Sequence, residues 1–132
     1  MTQNNIHTME NIVDELAHGK TFSQALKTVY STRYVVIPYD EAINDVNVVD
    51  CKIPSRVINT LMRNHLTTMG DVIKFCNDDN VMKIRGMGRQ GSIALFEAIL
   101  DWCWNHMGKK AKENFLIDTV ERNTFNIKEE LQ

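Results

Sequence analysis

Ile84-Arg85-Gly86-Met87-Gly88-Arg89-Gln90-Gly91-Ser92 decides how the chain folds. Two glycines one residue apart let the backbone turn through conformations closed to residues with a Cβ, and let it approach another surface closely. A long helical pattern follows through Ile93, Leu95, Phe96, Ile99, Leu100 and Cys103, with Met107 at its margin and Gly108 as its expected stop. Ser92 is small where this helix must pass close to a neighbour, and Leu95 and Ile99 hold the pair together. The start of such a helix presents unpaired N–H groups and the positive end of its dipole, which together favour an anion such as a phosphate oxygen. Gly91 completes a literal Gly-x-Gly-x-x-Gly string, but dinucleotide-binding folds carry that string directly after a strand. Here a short helix, Asn80 to Ile84, is predicted before it. The stretch therefore reads as a hairpin between two helices, with a ligand-free tight turn as the plainer alternative.

Upstream, Pro54-Ser55 opens a helix to about Asn64, with Val57, Ile58, Leu61 and Met62 inward and Arg56, Asn59 and Arg63 on its polar face. Leu66 to Ile73 turns into another helix, with Thr68 as its cap and Val72, Ile73 and Phe75 as its apolar residues. Tyr39 to Asp50 reads as a short helix and connector with Ile43, Val46 and Val49 inward. Further towards the N-terminus, Thr8 caps a predicted helix to about His18 with Ile12, Val13 and Leu16 on its apolar face. Thr21-Phe22-Ser23-Gln24 has the capping-box pattern, and Phe22, Leu26 and Val29 continue it as a helix to about Tyr30. Tyr34-Val35-Val36-Ile37, stopped by Pro38, is an extended segment without a ladder partner in the sequence. It must pack as an arm or pair with another chain. Downstream, Lys109 to Gln132 contains one amphipathic stretch, Phe115, Leu116 and Val120, and a polar end. Trp102 and Trp104, two residues apart, cannot share one helix face. One is expected against the C-terminal helix or the core, the other towards a partner.

The 132 residues suit one domain with appendages, and 43% apolar with 24% charged residues is ordinary for a globular chain. A net charge of −2 argues against coating nucleic acid by bulk electrostatics. The distribution differs: Lys52, Arg56, Arg63, Lys74, Lys83, Arg85 and Arg89 stand between Cys51 and Ser92 against Asp71, Asp78 and Asp79. A basic centre in an acidic chain can meet phosphate locally, because charge is screened beyond roughly 10 Å; a merely solvated face is the alternative. Cys51, Cys76 and Cys103 are widely spaced, odd in number and without a Cys-x-x-Cys pair, so no disulfide framework is expected. No apolar run reaches the roughly 20 residues of a membrane span, and the polar start lacks a signal-peptide core. A cytoplasmic location is expected. Gly19-Lys20-Thr21 lacks the earlier glycine of a Walker loop, and Cys103-x-x-His106 lacks a second pair of metal ligands. No catalytic arrangement is recognisable, so no enzyme, metal or cofactor is expected.

The glycine hairpin with its packed helices is the pattern of the helix-hairpin-helix, which grips phosphates without reading bases. Asp50-Cys51-x-Ile53-x-x-Arg56-x-x-Asn59-x-Leu61, then Leu66-x-x-x-Gly70-Asp71-Val72, then Gly86-Met87-Gly88 and Leu95, resembles the C-terminal domain of the bacterial RNA polymerase α subunit. Order and nearly all spacings agree over about 50 residues, with roughly one extra residue between Asp71 and Gly88. The resemblance implies an all-α, compact helical bundle that binds the minor groove of A·T-rich double-stranded DNA, Arg56 entering the groove and Asn59 supporting it. Narrow A·T grooves concentrate the negative potential that attracts an inserted arginine. Backbone amides around Gly86 and Gly88 would hold the phosphates. Gln90 and Gly91 stand where the family carries lysine and serine, a departure that weakens the phosphate grip; Arg85 and Arg89 lie close by and can compensate.

The expected organisation is an N-terminal helical extension with a short extended segment (1–50), the α-subunit-like module (51–107), and a C-terminal helix and tail (108–132). The expected function is that of an accessory or regulatory DNA-binding protein of transcription. The alternative is a protein–protein adaptor that uses the same fold to bind polymerase or a transcription factor, its extensions driving self-association.

Overall fold

The computed structural model describes residues 1–30, 35–38, 43–78 and 84–128. Among these, six α-helices account for most of the chain: α1 (Gln3–Ala17), α2 (Phe22–Lys27), α3 (Ser55–Arg63), α4 (Met69–Asp78), α5 (Gly88–Asn105) and α6 (Lys109–Arg122). One-turn 3-10 helices lie at Val48–Asp50 and Thr124–Asn126, and the described residues contain isolated bridges but no strand. The chain is all-α. No helix among the described residues is long and apolar enough to cross a membrane.

Helix boundaries follow local chemistry. Thr21 caps α2 with the reciprocal capping box: its side chain accepts from the Gln24 N–H, and its own N–H donates to Gln24 Oε1. Thr68 Oγ1 accepts from the Asp71 N–H at the start of α4, as its position before Gly70 implied. For α1 the cap is Thr2, whose side chain accepts from the Asn5 N–H; Thr8 is buried inside the helix and donates back to the Asn4 carbonyl. A threonine hydroxyl serves either role, and distant packing chose between them. Asn5, buried at this end, donates to Thr124 Oγ1 at 2.9 Å, 119 positions along the chain. Gly108 does not stop α5 in a left-handed turn: it holds an extended conformation and starts α6, while His106 closes α5.

The core is built around α5. Leu95, Ile99 and Cys103 are fully buried, and α2 packs along α5 while α3 crosses it near the hairpin. Asp101 on α5 accepts from both the N–H and the hydroxyl of Ser23, filling the open donors at the start of α2, and Lys27 pairs with Glu97 one turn earlier. Helix α1 rests on α2 and α6. Ile12, Phe22 and Leu26 from the first 50 residues, Leu61 and Ile73 from the middle, and Phe115 and Val120 from α6 share one apolar cluster. Val13, Val49 and Met62, which periodicity placed inward, are exposed at 49%, 53% and 42%; Val48 is buried instead of Val49.

The two tryptophans take different neighbours, as residues two apart must, but both pack within the chain, so neither is the partner-facing residue expected. Trp104 stacks on Phe22 with ring centroids 4.4 Å apart and lies under Lys112 of α6. Trp102 is buried and stacks on His106. Burial pushes the Cys76 thiol up to about 12, and burial with Asp50 beside it pushes Cys51 up to about 11, so both thiols stay protonated at neutral pH.

Val35 to Pro38 solves the lone-strand problem with side chains. Val35, Ile37 and Pro38 are buried, and Asn123 accepts the Val36 N–H at 2.8 Å while donating to the Val36 carbonyl at 3.0 Å. Asn77 does the same for Ile37, at 3.0 and 2.7 Å. Two asparagine amides therefore satisfy the backbone groups that a neighbouring strand would otherwise bond. Tyr34, the Asp40-Glu41 start of the helix expected before Asp50 and nearly all of the short helix expected over Asn80–Ile84 lie outside the described residues; from Ile43 to Asp50 the described chain forms turns and the 3-10 helix, not an α-helix.

Candidate nucleic-acid interface

Helix α3 begins after Pro54 without a side-chain cap, and its exposed stripe carries Arg56, Asn59 and Arg63 at three- and four-residue spacing. Thr60, beside them, is buried. Its hydroxyl donates to the Arg56 carbonyl at 3.1 Å and accepts from Arg63 Nη2 at 3.3 Å. Leu61 and Val57 on the opposite side anchor the helix in the core.

The hairpin meets this stripe. Gly86 and Gly88 have φ of +87° and +68°, the left-handed region in which a Cβ costs roughly 1–2 kcal/mol. The Met87 N–H closes the turn on the Ile84 carbonyl, and the Met87 side chain plugs the core beneath. Asn64 fastens the turn to α3: its Nδ2 donates to the Thr60 carbonyl at 2.8 Å and to the Arg85 carbonyl at 3.1 Å. Ser92 is fully buried and donates to the Gly88 carbonyl at 2.7 Å, in keeping with its place where helices pass closely. A Cβ on Gly91 would come within 3.1 Å of Met87 Sδ, so a serine there would press on the residue that holds the turn.

Between stripe and hairpin lies a cleft of about 540 Å³ lined by Arg56, Thr60, Gly86, Gly88, Arg89, Gln90 and Gly91, with Pro54, Val57, Met87 and Ala94. Six of the eight residues singled out from the sequence thus share one concavity, although Arg56 lies more than 30 positions before Gly88. Asn59 and Arg85 are exposed but do not line it. The first turn of α5 opens into the cleft, and no acidic side chain is among the lining residues. Such a surface favours an anion over a neutral or cationic ligand. Among the described residues no group of His, Cys, Asp and Glu is arranged to hold a metal ion; Cys103 is buried and His106 Nδ1 faces the Trp102 carbonyl.

Arg63 was legible as part of the polar face of α3 but not as a neighbour of the turn. An ideal Cβ on Gly86 would lie 3.8 Å from Arg63 Nη2, a proximity that depends on how α3 crosses the hairpin.

Compared with protein-family models, with curated proteins and with solved structures, the chain matches none.

Proposed function

We propose that the chain is an accessory or regulatory DNA-binding protein of transcription, built on a module resembling the C-terminal domain of the bacterial RNA polymerase α subunit. The observation that carries this proposal is the shared cleft: Arg56 on α3 faces the Gly86–Gly91 hairpin across a concavity without acidic lining. Arg56 would enter the minor groove of A·T-rich DNA, and the amides at the start of α5 would take the adjacent phosphate, with Arg89 supplying charge where Gln90 and Gly91 supply none. Asn59, one turn along α3, and Arg85, at the rim of the turn, would support these contacts from outside the cleft.

Fluorescence anisotropy with A·T-rich and G·C-rich duplexes across a salt series tests this. The expected result is tighter binding to the A·T-rich duplex and a log–log salt plot of negative slope. Arg56→Ala is expected to weaken the A·T complex by about 1–3 kcal/mol and to erase the preference between the duplexes. Absence of binding at low salt overturns the proposal.

One feature favours the adaptor as a second reading. Met9, Val13 and Ala17 of α1 line a shallow groove of about 300 Å³ edged by Glu10 and Asp14, on a different helix from the basic cleft. A partner such as polymerase or a transcription factor, or a second copy of the chain, would have an apolar surface to meet there.

A further inference from the structure

Resting on the DNA-binding proposal, we infer that Arg63, outside the cleft lining, is a further backbone contact and neutralises one phosphate at the Gly86 end of the interface. Three observations converge on it. Arg63 stands seven residues after Arg56, two turns along the same exposed stripe, so both guanidinium groups project from one side of α3. Its Nη2 is steadied by Thr60 Oγ1 at 3.3 Å, the same hydroxyl that donates to the Arg56 carbonyl. And it lies over Gly86, where the turn has no side chain of its own: an ideal Cβ there would sit 3.8 Å from Nη2.

That arrangement leaves the guanidinium with work to do. Among the described residues no carboxylate pairs with Arg63, and its one hydrogen bond there, to Thr60, uses a single donor of the five a guanidinium offers. Arg63 is exposed, and a planar guanidinium fork matches a phosphate. With Gln90 and Gly91 uncharged, Arg63, beside Gly86, and Arg89, in the first turn of α5, share the load of phosphate binding. Arg56 reads the groove, whereas Arg63 adds affinity without sequence preference.

The test compares salt slopes of full-length wild type, Arg63→Ala, Arg63→Lys and Arg56→Ala on both duplexes. For Arg63→Ala the expected result is weaker binding to both duplexes by the same factor, an unchanged A·T preference, and a slope shallower by about 0.9, one phosphate's share of counterion release. Arg63→Lys keeps the charge and restores the slope. Because Arg63 is exposed, the far-UV circular dichroism and melting curve of both variants should match wild type. If wild type binds and Arg63→Ala leaves the slope unchanged, the Arg63 inference is overturned and the DNA-binding proposal stands. If wild type binds neither duplex at low salt, both fall together.

Discussion

Replacing Phe22 by alanine is expected to lower the stability of the chain by about 3–5 kcal/mol, measured by urea unfolding of wild type and variant. Phe22 is 1% exposed and stands where three helices meet. It lies flat on Trp104 of α5, with an interplanar angle of 4°, and tilted against Phe115 of α6 with centroids 5.8 Å apart. Removing the ring forfeits the transfer energy of a large aromatic and leaves a void that α2, pinned by Ser23 to Asp101, cannot close by sliding. A loss below about 1 kcal/mol would mean that the N-terminal helices are appendages resting on a self-sufficient module. The shared apolar cluster speaks for the larger figure: without α2, Trp104 of α5 loses the ring stacked on it.

The second large effect is expected at Asn123. Its amide is fully buried and makes three hydrogen bonds, accepting the Val36 N–H and donating to the carbonyls of Val36 and Thr119. Asn123→Ala strands the Val36 backbone groups, each partly shielded from water, and is expected to cost about 2–4 kcal/mol. Asn123→Asp is the informative partner. An aspartate still accepts the Val36 N–H but sets a negative charge against two carbonyl oxygens, so it should approach the alanine variant in stability instead of restoring the wild-type value. Thermal melts of the two variants, with amide hydrogen exchange at Val36, separate loss of the clamp from general loosening. Retention of wild-type stability by Asn123→Ala would show that water replaces the amide at no cost and that the arm holds by its apolar contacts alone.

These two residues also mark how far the sequence could be read. Local chemistry was legible: the Thr21 capping box, the Thr68 cap, the glycine hairpin and the apolar rows of α5 and α6 are contained in windows of four to twenty residues, and each formed as its pattern implied. What was not legible depends on partners far along the chain. Thr2 caps α1 in place of Thr8 because Asn5 is buried against Thr124, and nothing near Asn5 in sequence signals that. The arm at Val35–Pro38 was recognisable as lacking a ladder, but asparagine side chains 40 and 87 positions away supply the bonds. Val13 and Met62 fit a helical period and yet face outward, since periodicity marks an apolar stripe without fixing its edge.

The candidate site divides in the same manner. Arg56 and the glycine turn were each visible from their spacing, and the structure brings them to one cleft. Asn59 and Arg85 were expected beside them and stand outside the lining, whereas Arg63 lies over Gly86 because Asn64 ties the end of α3 to the carbonyl of Arg85. That tie joins residues 21 apart and cannot be inferred from either segment alone.

The central claim is that the face formed by α3 and the hairpin meets DNA. The most direct measurement is a two-dimensional amide NMR titration of the labelled full-length chain with an A·T-rich duplex at low salt. The claim predicts shift changes concentrated at Arg56, Asn59, Arg63 and Gly86–Gly91, with α1 silent. No shifts at low salt, or shifts confined to Met9–Ala17, would contradict it.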